Sequence, residues 1–88
     1  MKIKDGFSLQ TLGERTVVVP VGARAAEFHC MMALNETGAF LWQHLQQATD
    51  TAALCTALAA EYAVSAETAA ADVQRFVALL REQGLLEE

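Results

Sequence analysis

Two histidines, two cysteines and three methionines are the residues of this 88-residue chain whose types could carry nucleophilic, redox or metal chemistry. An active site needs a nucleophile beside a base, a bound metal, or paired titratable groups in a pocket. His29 and Cys30 are adjacent in a segment that reads as a strand, so they point to opposite faces and form no local dyad. His44 and Cys55 fall on different predicted helices; they could meet in space, but their spacing carries no such signal. Met31 and Met32 also alternate across a strand, and no Cys-x-x-Cys accompanies them to suggest a copper site. No glycine-rich phosphate loop is present. The cysteines fit neither metal nor redox spacing and are expected as free thiols in the cytoplasm. The chain is therefore expected to bind rather than catalyse, with no metal and no cofactor.

Composition supports a compact domain. Hydrophobic residues make up 53% of the chain, too many for a disordered tail. Seventeen residues are alanine, so the bulky apolar supply is modest and helix is favoured. The length allows one small core, and a single domain over residues 1–88 is expected. Residues 1–34 carry a balance of +1 and residues 35–88 a balance of −6. Such a surface repels nucleic-acid phosphates and anionic membranes. No apolar run reaches the length of a membrane span, and Met1 to Gly6 lacks the apolar stretch of a signal peptide.

The elements that would position a binding site follow from periodicity. Phe7 to Leu12 alternates, Gly13-Glu14 punctuates, and Arg15 to Val19 is rich in β-branched residues, which predicts a hairpin. Pro20 ends that strand or marks an edge. Val21 to Glu27 reads as a loop and Phe28 to Leu34 as a third strand. Asn35, Asp50 and Ser65 are then expected as N-caps of three helices. The first runs roughly from Glu36 to Gln46, and the second carries Leu54, Leu58 and Tyr62. In the third, Ala69, Val73, Phe76, Val77 and Leu80 form one stripe, with Gly84 as its stop. Leu85 and Leu86 are expected to fold back on its last turn. Strands followed by helices predict an α+β fold, a three-stranded antiparallel sheet and three helices, resembling a winged helix-turn-helix. A winged helix invites a DNA reading. The second and third helices, however, hold only Arg75 and Arg81 against Glu61, Glu67, Asp72 and Glu82.

Two features point to a protein or peptide partner. On the third strand Phe28, Cys30, Met32 and Leu34 fall on one face, His29, Met31 and Ala33 on the other, and neither face carries a charge. Either the N-terminal segment or a second copy covers this strand, or a peptide adds to its edge, which lacks the charge or proline that guards most edges. On the third helix Leu79 lies off the core stripe beside Asp72, Arg75 and Gln83, with Phe76 between flank and core. That flank reads equally as a groove wall or as a lone exposed leucine.

Several segments together are familiar. Leu34-Asn35-Glu36-Thr37-Gly38 follows a strand, Asp72-Val73-Gln74-Arg75-Phe76-Val77-Ala78-Leu79-Leu80 forms a helix, and Gly84-Leu85-Leu86 closes the chain. The ordered set resembles the PqqD-like family, also called the RiPP recognition element, over roughly residues 7–88. The resemblance implies a non-catalytic domain that binds the leader of a ribosomally made precursor peptide and presents it to a modifying enzyme, a radical SAM protein or another maturase. It selects Phe28, His29, Cys30, Met31, Met32 and Ala33 for strand addition, and Asp72, Arg75, Phe76 and Leu79 for the groove wall. It gives Leu34, Asn35 and Gly38 structural roles. The alternative is an adaptor that forms a homodimer through the same edge strand.

Overall fold

The computed structural model describes residues 1–22 and 32–87. Its elements run β1 (Lys2–Ile3), β2 (Phe7–Leu12), β3 (Arg15–Pro20), β4 (Met32–Leu34), α1 (Glu36–His44), α2 (Thr51–Tyr62), α3 (Ala66–Glu82) and β5 (Leu86–Glu87). The expected α+β class and the antiparallel three-stranded sheet are both present, in the order β2-β3-β4. The third strand read from the sequence corresponds to β4. Its expected residues Phe28 to Met31, and the loop residues Ala23 to Glu27, lie outside the described residues.

Gly13-Glu14 joins β2 to β3 with Leu12 opposite Arg15, the two-residue hairpin that the punctuation predicts. Pro20 ends β3 opposite Phe7. On the other side of β3, Thr16 faces Leu34, Val17 faces Ala33 and Val18 faces Met32.

All three helix caps form as the sequence predicts. The side chains of Asn35, Asp50 and Ser65 accept from the backbone N–H of Gly38, Ala53 and Thr68, each three residues on. Each satisfies a donor that a helix start would otherwise leave unpaired. Helix α1 ends two residues sooner than its pattern suggests. Leu45 turns inward as a fully buried C-cap residue, and the Gln46 side chain donates back to the carbonyl of Trp42. Gly84 stops α3 at φ +74, a left-handed conformation that suits glycine.

The predicted stripe of α3 is its buried face: Ala69, Val73, Phe76, Val77 and Leu80. These residues join Leu41, Trp42, Leu45, Leu54, Leu58 and Val18 in one hydrophobic cluster. Leu80 is wholly inaccessible. Leu80→Ala should therefore cost about 3 kcal/mol and lower Tm by more than ~10 °C in a thermal melt, because a core this small has no reserve.

The chain termini depart from expectation. Leu86 does not simply fold onto the last helical turn; it pairs with Ile3 in a second, two-stranded sheet, β1 against β5. Ile3 also donates its N–H to the carbonyl of Leu45 at 2.9 Å. Ile3, Leu85 and Leu86 are all buried, so this ribbon closes the end of the core beneath α1. The N-terminal segment is thus paired with the C-terminus and not with β4.

Candidate functional site

In an antiparallel sheet, successive residues of a strand aim their backbone groups alternately at the two neighbours. Val21 donates its N–H to the carbonyl of Gly6 at 2.8 Å, so the odd-numbered residues of β3 face β2 and the even-numbered ones face β4. Thr16 and Val18 therefore bond to Leu34 and Met32, and the N–H and C=O of Ala33 between them point outward. Among the described residues, no strand pairs with that outer edge. The side chains alternate in the complementary way. Met32 and Leu34 are half-buried against the core and Ala33 is exposed.

The open edge borders a cleft of about 410 Å³ between β4, the start of α1 and the flank of α3. Asp72, Arg75, Phe76 and Leu79, at helical offsets 0, +3, +4 and +7, all line it, with Ala33 across from them. Phe76 is nearly buried and forms an apolar floor, whereas Leu79 is 37% exposed. Asp72 and Arg75 form a salt bridge along the helix, with side-chain exposures of 27% for Asp72 and 77% for Arg75. Of the site residues expected from the sequence, the structure thus brings these four and Ala33 to one place, while Met32, next to Ala33 on β4, packs against the core and outside the lining. Phe28, His29, Cys30 and Met31 lie outside the described residues. Gln83, on the same helical flank by spacing, sits at the C-cap and outside the lining.

The start of α1 supplies a wall that sequence reasoning treated as structural or passed over: Leu34, Asn35, Thr37, Gly38 and Leu41. Gly38 is the signal that could have found it, because glycine in a helix is unfavourable unless space is short. A Cβ there would meet Asn35 Oδ1 at 3.0 Å, Phe76 Cε1 at 3.4 Å and Leu34 Cβ at 3.5 Å. Strand end, helix cap and cleft floor converge on one position. Gly38→Val should displace the cap and the ring together. Chemical denaturation should show a loss of about 1–3 kcal/mol, the usual cost of overpacking.

Of the histidines and cysteines considered for chemistry, His44 and Cys55 lie among the described residues. The His44 ring lies against Phe40, with centroids 4.5 Å apart, and Cys55 is half-buried on α2. Among the described residues no cluster of His, Cys, Asp or Glu could hold a metal ion, and no helix is long and apolar enough to cross a membrane.

The site thus joins two features in a small α+β domain: a β4 edge unpaired among the described residues and a cleft beside it. Comparison with known proteins gives the domain's family. The family profile described as Coenzyme PQQ synthesis protein D (PqqD) matches residues 14–86, so the chain belongs to the PqqD family. A similar solved structure is TbiB1 in complex with the TbiA(beta) leader peptide. The two share 24% sequence identity at a TM-score of 0.75, over 99% of this chain and 95% of that one. No curated protein matches the chain.

Proposed function

We propose that this chain is a single, non-catalytic recognition domain that binds the leader segment of a ribosomally made precursor peptide. The leader adds as a strand to the outer edge of β4, and the bound precursor is presented to a modifying enzyme, a radical SAM protein or another maturase. The observation that carries this reading is the outward-facing backbone of Ala33 beside the cleft of Asp72, Arg75, Phe76 and Leu79. Membership of the PqqD family supports it, as does likeness to the fold of TbiB1, which binds a leader peptide.

The mechanism is delivery. Backbone hydrogen bonds to a strand edge depend little on sequence, so they supply affinity, while the pockets beside the edge supply choice of leader. Holding the leader converts the meeting of core peptide and enzyme into an intramolecular event at high effective concentration. Precursor peptides leave the ribosome in the cytoplasm, and the proposed complex would form there. The DNA reading loses further ground because Asp72 engages Arg75, one of the two basic residues of α2 and α3.

The test is fluorescence anisotropy with a candidate precursor peptide from this gene's neighbourhood, divided into leader and core halves. Saturable binding of the leader half alone is expected. Binding of the core half alone would overturn the reading, because the domain would then occupy the segment that the enzyme must reach.

A further inference from the structure

Resting on the leader-binding reading, we propose that the cleft selects a peptide bearing an acidic side chain two residues from an apolar one. Of the four α3 residues that line the cleft, Arg75 and Leu79 are the exposed ones, and they stand one full step of four apart on the helix. Four residues of helix rise about 6 Å. Alternate residues of a strand recur every ~6.7 Å on one face. A strand added beside β4 along α3 therefore meets Arg75 and Leu79 with side chains i and i+2. Leu79, with the Phe76 floor beside it, takes the apolar member.

The sign of the other member follows from the ion pair. Asp72 is the more enclosed partner, and its carboxylate is already engaged by one terminal nitrogen of Arg75. The Arg75 side chain is 77% exposed, and its guanidinium carries five N–H donors in a planar fork. A ligand carboxylate can bind the open side of that fork while Asp72 stays in place. A ligand lysine or arginine would instead come up against the exposed Arg75 cation, which repels it. Asn35 adds to the bias. Its side-chain oxygen accepts from Gly38 N–H and from the Thr37 hydroxyl, which leaves its amide N–H groups as the donors this side chain brings to the cleft lining. On the side-chain wall, the Arg75 fork and the Asn35 amide are donors that suit an acceptor on the ligand.

The experiment is selection from a display library of random twelve-residue peptides on the whole protein. Constant sequence flanks both ends, so that any acid recovered is a side chain and not a chain terminus. Recovered peptides should share an aliphatic or aromatic residue with Asp or Glu two positions away. Selection on Arg75→Glu should replace that acid by Lys or Arg. The wild-type consensus peptide should bind Asp72→Asn roughly fivefold more tightly, because a competing carboxylate is gone. An acid preference that survives Arg75→Glu, a consensus without an acid, or weaker binding to Asp72→Asn would overturn the proposal and leave strand addition standing. No enrichment over a Leu79→Glu control would overturn both.

Discussion

Leu79→Glu is expected to abolish leader binding while leaving the fold intact. Leu79 sits on the solvent side of α3, 37% exposed, and belongs to the cleft lining rather than to the buried stripe. Covering the remainder of a leucine side chain with a ligand is worth about 1–2 kcal/mol. A carboxylate at the same place forfeits that gain and must be desolvated as the peptide settles. It would also lie one helical turn from Arg75 and compete for the guanidinium. Together these amount to a loss of a hundredfold or more in affinity, at about 1.4 kcal/mol per factor of ten. An exposed helical position tolerates glutamate within ~0.5 kcal/mol, so Tm should hardly move. Leu79→Ala, which removes only the apolar contact, should lose roughly tenfold. Anisotropy titrations of the three proteins beside their melting curves check this. Wild-type affinity in Leu79→Glu would remove α3 from the binding surface.

The second large effect is expected at Ala33, by substitution with proline. Val17 and Ala33 stand opposite each other without exchanging ladder bonds, so the N–H that proline lacks is the one aimed outward. Proline is tolerated in strands at this kind of position, an edge with its missing donor toward solvent. Its ring also occupies the space a neighbouring strand would enter. The leader would lose one hydrogen bond and keep an unsatisfied carbonyl, at about 1–3 kcal/mol, or tenfold to hundredfold in affinity. Because Leu34 and Met32 keep their bonds to β3, circular dichroism should be unchanged. If Ala33→Pro bound the leader as wild type does, strand addition at β4 would be wrong. Leu79→Glu and Ala33→Pro thus probe the side-chain and backbone halves of one site separately.

The helices were legible because their signals are local. Asn35, Asp50 and Ser65 are polar side chains just before apolar periodicity, and the α3 stripe repeats often enough to fix a face. The groove flank was legible for the same reason: once Val73 and Phe76 fix the stripe, the place of Leu79 follows from 100° per residue. The resemblance then chose between a groove and a lone leucine. What stayed hidden depends on contacts distant in sequence. Two residues at Lys2–Ile3 and two at Leu86–Glu87 have no periodicity to read, and their pairing exists only because the fold brings the chain ends together. The wall formed by Asn35, Thr37, Gly38 and Leu41 was hidden because its residues are ordinary for a capped helix start. Only the approach of Phe76 to Gly38 turns that start into part of a cleft. The outward direction of Ala33 likewise depends on the hairpin register, which Val21 and Gly6 reveal and the strand's own sequence does not.

The most direct measurement is an amide NMR titration of isotope-labelled protein with the leader half of its own precursor. The proposed function predicts shifts concentrated at Ala33, Gly38 and Asp72 to Leu79, with the Ala33 amide newly protected from hydrogen exchange. Shifts confined to β2 or to the outer face of α2, with Ala33 still exchanging freely, would contradict it.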